Sequence, residues 1–273
     1  MKDKIDDLRK ECAALDMFLA GLAPQDWSKV TAFFGWTVAD EVMHLRQVVL
    51  FGILALTAPD LFAALVEEVR AGQARGFELS DRMREQWGQL PPAEIRANWC
   101  EDWQRICALF EATAPETRLP WFGPPMAASA FVTARQMEVW AHGQDIYDLF
   151  KLRRVNDDRI RNICELGVRT HGWSFGNRGL ERPLRPEVRL TAPSGAVWVW
   201  NEGEAERISG PAEDFALVVT QRRNVADTAL AVEGEGARAW MEIAQCFAGV
   251  PEQMPAPGQR LVVYGPDQIT APA

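Results

Sequence analysis

The sequence predicts two halves of different class: an all-helical first half whose four main amphipathic helices suit an antiparallel four-helix bundle, and a smaller α+β second half with an antiparallel sheet. Three observations lead there. Apolar residues recur at three- and four-residue steps through most of positions 5–150, the pattern of one-faced helices. Beyond Lys151-Leu152-Arg153-Arg154 that periodicity yields to short apolar segments between Pro-Ser-Gly and Asn-Glu-Gly turns, the spacing of a small meander. The length of 273 residues also exceeds the roughly 150 expected of one domain. The boundaries that follow are 1–155 for the helical domain, 156–265 for the α+β domain and 266–273 for a tail.

Each element has its own signal. Ile5, Leu8, Cys12, Leu15, Leu19 and Leu22 line one face of a first helix, which Ala23-Pro24 ends. Thr37-Val38-Ala39-Asp40 has the form of a capping box and starts a second helix over 38–56. The segment 57–90 is expected to be helical, with Gly72, Gly76 and Gly88 blurring its limits. A third main helix begins after Pro91-Pro92 and carries Ile95, Trp99, Trp103, Ile106, Leu109 and Phe110 on one side. The Pro-rich stretch 115–125 separates it from a fourth, 126–150. In the second half, 158–170 reads as helix and 172–186 as a Gly- and Pro-rich loop. Segments 188–190, 196–200 and 204–208 read as strands of an antiparallel meander. Gly210-Pro211-Ala212-Glu213-Asp214 starts a helix with acid in its first turn. Trp240, Ile243, Ala244 and Phe247 mark a last helix that stops at Gly249-Val250-Pro251, beyond which the chain is expected to be extended.

Composition excludes several classes of function. At 48% hydrophobic and 25% charged residues the chain is globular. A formal net charge of −9 repels phosphate backbones and anionic membrane surfaces, so neither nucleic acid nor membrane is an expected partner. The charged start MKDKIDDLRKEC lacks the apolar stretch of a secretory signal, and the most apolar window, 48–56, is too short to cross a bilayer. The five cysteines are odd in number with no Cys-x-x-Cys pair, which predicts free thiols in a reducing, cytoplasmic setting. Phosphate-binding loops, dinucleotide fingerprints and nucleophile elbows are absent from the sequence.

With three histidines in the chain, their placement carries information. Glu138 and His142 are four residues apart on the fourth main helix, so both side chains leave one face and can share a divalent ion. His44, on the second, would face them across an antiparallel bundle. Two imidazoles and a carboxylate suit Zn²⁺, and Ni²⁺ or Co²⁺ as well, with a fourth position left for water or substrate. Asp40, Gln144 and Asp145 are candidates to hold the second imidazole nitrogens. From spacing alone, helix-surface ion pairs and buried, hydrogen-bonded histidines are the more common account of the same residues. His171, in Arg169-Thr170-His171-Gly172-Trp173, has no acidic or histidine partner at ligand spacing and is expected to be structural or exposed.

The stretch Trp36-Thr37-Val38-Ala39-Asp40-Glu41-Val42-Met43-His44-Leu45, followed about ninety residues later by Arg135-Gln136-Met137-Glu138-Val139-Trp140-Ala141-His142-Gly143-Gln144-Asp145-Ile146, resembles the metal-binding helical domain of the mycothiol-dependent maleylpyruvate isomerases, within the DinB/YfiT-like superfamily. The resemblance spans roughly residues 5–150. It implies a four-helix bundle with His44, Glu138 and His142 as metal ligands, and Trp36 and Trp140 flank them as candidates for the cleft wall.

The second half is similar to the sterol-carrier-like α+β module attached to such bundles. In those relatives the module supplies a basic residue to the cleft, for which Arg222 and Arg223 are the candidates here; solvated surface arginines are the alternative. The implied function is a thiol-dependent isomerase or transferase acting on a small electrophilic substrate, with one divalent ion, most simply zinc, and a low-molecular-weight thiol. Two alternatives remain: a non-catalytic protein whose second domain binds an apolar ligand, and a metal-dependent hydrolase. Base rates favour a homodimer.

Overall fold

The computed structural model describes residues 1–265; the expected tail, 266–273, lies outside them. Among the described residues there are ten α-helices and two small sheets, and these residues divide into two compact units that part between Phe150 and Lys151.

In the first unit, α1 (Lys2–Ala20) leads through a 3₁₀ turn, Pro24–Ser28, to α2 (Val38–Thr57). Then come α3 (Pro59–Gln73), α4 (Leu79–Trp87) and α5 (Pro92–Glu111). A two-residue ladder of β1 (Arg118–Leu119) and β2 (Met126–Ala127) precedes α6 (Ala128–Leu149). The segment 57–90 is thus two helices, parted at 74–78, where Gly76 takes a φ of +83° that suits glycine. The α2 start has the expected box: Asp40 N donates to Thr37 Oγ1 at 3.1 Å, and Thr37 N donates to Asp40 Oδ2 at 2.9 Å. Helix α2 packs on α5 and α6, and α1 packs on the same two. Leu8, Leu15, Val42, Leu45, Trp99, Phe110, Phe131 and Ile146 fill the space between them. Gly52 allows the closest approach, because a Cβ there would lie 2.7 Å from Ile106 Cδ1 and 3.1 Å from Phe131 Cε1. Helix α6 is buried almost all round, and Thr133, Arg135, Gln136, His142, Gln144 and Asp145 are buried with it. So many enclosed polar groups are costly unless partnered, and they mark this helix as the one built for more than packing.

The second unit contains α7 (Arg161–Arg169) and α8 (His171–Gly176), then β3 (Glu187–Thr191), β4 (Val197–Trp200) and β5 (Arg207–Pro211). It continues with α9 (Ala212–Val219), β6 (Ala231–Glu233) and α10 (Glu235–Ile243). The strand order is β4-β3-β5-β6. This corrects the expected antiparallel meander: β3 pairs antiparallel with β4 but parallel with β5, Val188 opposite Ile208. The sheet is mixed, and its fourth strand, too short to show a period-two pattern, was not foreseen. The first turn of the supposed 172–186 loop is helical too. Helix α10 ends at Ile243, four residues before Phe247, with Glu206 accepting from Gly236 N and Ala237 N at its start. Helix α9 packs on β3, β5 and α7, burying Phe215 and Val218 with Val188, Leu190, Ile208 and Ile163.

Candidate metal centre

The capping box fixes where α2 begins, and so which side chains of its second turn face α6. His44 comes from α2, and Glu138 and His142 from successive turns of α6. Glu138 Oε2 lies 3.3 Å from His142 Nε2 and 3.5 Å from His44 Nε2, and the three donor atoms fall within 4.8 Å of one another. The imidazole centroids are 4.5 Å apart. With metal–ligand bonds of about 2.0–2.1 Å, neighbouring donors on a tetrahedron sit about 3.3–3.4 Å apart. The two Glu138–His distances match that edge, so the donor set fits a divalent ion in both chemistry and spacing.

Protonation favours the same use. Burial, with His142 beside it, pushes His44 down to about 4, leaving a neutral imidazole, the form in which one ring nitrogen can bind a metal. Burial alone would raise Glu138, but His142 and His44, with Arg135 beyond, outweigh it and hold the carboxyl well below the ordinary range. The side chains of His44 and Glu138 keep 22% and 17% of their accessible surface, against 4% for His142. What exposure the set keeps lies on His44 and Glu138.

The residue that holds His142 is Glu41, which sequence reasoning missed. His142 Nδ1 is 2.7 Å from Glu41 Oε2, and Thr31 Oγ1 donates to Glu41 Oε1 at 2.7 Å. With its proton on Nδ1 facing Glu41, His142 would offer its Nε2 lone pair to an ion shared with Glu138, the arrangement that orients metal-binding histidines. Glu41, His142 and Asp145 form a second set of donor atoms within 4.8 Å, all three buried; enclosed as they are, they suit hydrogen bonding behind the centre. The signal available in sequence was the position of Glu41, three residues before His44 on the same helix.

Asp40 has a different task from the one expected: its carboxylate receives Thr37 N and a pair of bonds from Arg84, at 2.9 and 3.3 Å. Gln144 donates to Asp148 at 2.8 Å. Trp36 stands at the centre, its ring 5.1 Å from that of His44 and 6.0 Å from that of His142, and Phe33 meets His142 edge-on at 5.0 Å. Trp140 is fully buried, and two residues from His142 it leaves the helix about 200° away. Arg222 and Arg223 belong to the second unit, where both are buried rather than solvated. Arg222 donates to Thr220 O, and Arg223 to Arg222 O and the Tyr264 hydroxyl. His171 is likewise buried in that unit, edge-on to Trp240 at 4.8 Å.

Comparison with known proteins bears on this geometry. The family model of the mycothiol maleylpyruvate isomerase N-terminal domain matches residues 8–147, a span that contains His44, Glu41, Glu138 and His142. Uncharacterized proteins from two strains of Mycobacterium tuberculosis are each 38% identical over 249 residues, 90% of this chain and 96% of theirs. Among solved structures, that of the mycothiol-dependent maleylpyruvate isomerase has a TM-score of 0.51 at 13% identity, covering 80% of this chain and 87% of that one, a likeness of fold. With more than half of the sequence matched by its model, the chain belongs to the mycothiol maleylpyruvate isomerase N-terminal domain family.

Proposed function

We propose that this protein is a metal-dependent enzyme that uses a low-molecular-weight thiol of the mycothiol type to isomerise, or transfer a group to, a small electrophilic substrate. The observation that carries the proposal is Glu138 Oε2 set between the Nε2 atoms of His44 and His142 at the spacing of a tetrahedral edge. The fold likeness supports treating the first unit as a DinB-like four-helix bundle and the second as a sterol-carrier-like domain.

His44, Glu138 and His142 would hold the ion. When bound, a divalent ion of the zinc type lowers the pKa of a water or thiol in its open position. The chain's own residues do the rest. Glu41 keeps the Nδ1 proton of His142 in place, so the donor atom at Nε2 stays unprotonated. Trp36 provides an apolar wall beside His44 that limits water. Burial pushes Cys100 up to about 12 and Cys107 to about 11, so neither is a ready nucleophile, which is consistent with a thiol supplied from outside.

Metal analysis of the purified full chain tests this. Wild type and His171→Ala are expected to carry about one divalent ion per chain, and His142→Ala to lose it. Equal content in all three samples overturns the assignment. Isomerase turnover that requires added thiol then separates an enzyme from a ligand-binding protein.

A further inference from the structure

The two edges of the second unit's sheet are built differently. Natural sheets guard an edge with charge, proline, a bulge or short length, because its unpaired N–H and C=O groups invite another strand. At one edge, β6 is three residues long and carries Glu233. At the other, β4 reads Val197-Trp198-Val199-Trp200, strong β-formers with no charge and no proline among them. Ala192 N donates to Ala196 O across the β3–β4 turn, which sets the alternation of that ladder. Trp198 lies opposite Leu190 and Trp200 opposite Val188, so these two residues bond to β3, and Val197 and Val199 direct N–H and C=O outward. Among the described residues no donor or acceptor meets those outward groups. The side chains are open as well: Val197 is 56% exposed, Ala196 is exposed, and Val199 and Trp200 are half-buried.

We propose that β4 is a homodimerisation edge, at which two copies of this chain pair antiparallel through residues 196–200 about a two-fold axis at Trp198. What fits this edge is the same edge. With Trp198 facing Trp198 of a second copy, Val197 faces Val199 and Ala196 faces Trp200. The outward donors and acceptors of each strand then meet their opposites on the other, as in any antiparallel ladder. Valines pair on one face, where β-branched neighbours are favourable, and the small Ala196 leaves room for the large Trp200 on the other. A one-residue slip would set outward groups against groups already bonded to β3 and mix valine with tryptophan, so the register is specified. Neither strand carries a charge, and no like charges oppose each other along the paired residues. The contact is isologous and closes after two copies, since β6, short and acidic, resists a further strand. A seam one short strand long is small beside the roughly 1,200–2,000 Å² of a stable complex, which makes this a concentration-dependent dimer and not an obligate one.

Sedimentation velocity on the full chain between about 1 and 300 μM tests this, with the melting temperature measured on the same samples. Wild type is expected to pass from the mass of one chain towards that of two as concentration rises. Val197→Lys puts a charge on the exposed side of the seam and leaves the β3 pairing intact; it is expected to weaken association by roughly tenfold or more while melting as wild type does. Val199→Glu, whose charge would lie beside Arg189 of its own chain, covers the case in which Val197→Lys does not fold and is expected to lose as much. Ala231→Lys, at an exposed position of β6, is expected to associate as wild type does. A wild type that keeps the mass of one chain at the highest concentration overturns the proposal and leaves the edge to a different partner. A smaller loss in the folded β4 variants, or an equal loss in Ala231→Lys, overturns it as well.

Discussion

Glu41 holds Nδ1 of His142 from 101 positions away in the sequence, as an imidazole proposed to bind a metal through Nε2 requires. Burial pushes the Glu41 carboxyl up, the His142 contact pulls the other way, and the net shift is upward; that single bond thus works against a sizeable desolvation cost. Replacing Glu41 with Gln keeps the shape but removes the charge that favours a proton on Nδ1. Metal affinity is expected to fall about 10- to 100-fold with the helical spectrum unchanged, as measured by competition with a chelator. Unaltered affinity would show that Glu41 has no part in orienting the ligand. The candidate ligands themselves were legible, because Glu138 and His142 share a helix face and the W-T-V-x-D-x-x-x-H-L stretch placed His44. Their support was not: Asp40, four residues before His44, is the expected holder of an imidazole nitrogen, and its carboxylate instead closes the cap of α2 and binds Arg84.

Elements with strong punctuation were read well. Thr37 and Asp40 marked the start of α2, and Pro91-Pro92 that of α5, to within a residue. The short strands were harder, since the two residues of β1 or the three of β6 show no periodicity, and the parallel pairing of β3 with β5 leaves no trace in local sequence. Close packing of helices was also invisible until α2, α5 and α6 were seen together at Gly52. Gly52→Ala would gain about 1 kcal/mol in helix propensity. Against that, its methyl would press on Ile106 and on Phe131, whose ring is confined by Phe110 and Trp121, an overpacking cost of about 1–3 kcal/mol. The variant is expected to melt below wild type by calorimetry. A higher melting temperature would mean that the contact is loose.

At the scale of the molecule, His44, Glu138 and His142 lie within residues 1–150, as do Glu41 and Trp36, whereas Arg222 and Arg223 belong to the second unit. Among the described residues no helix is long and apolar enough to cross a membrane. A chain ending at residue 155 is expected to melt cooperatively with a helical spectrum and, on the proposed assignment, to bind one divalent ion. A broad, non-cooperative melt would show that the first unit depends on the second. The change of periodicity near residue 151 was visible in sequence, because helices of the first half give way to short strands and turns; the mixed order of the sheet was not. The central claim is that two imidazoles and one carboxylate from α2 and α6 bind one ion and leave it reachable. Anomalous diffraction from crystals of the protein purified with its native metal tests this most directly. The account predicts a single strong peak bonded to His44 Nε2, Glu138 Oε2 and His142 Nε2, with no fourth protein atom attached. A peak elsewhere, no peak, or a side chain filling the remaining position would contradict it.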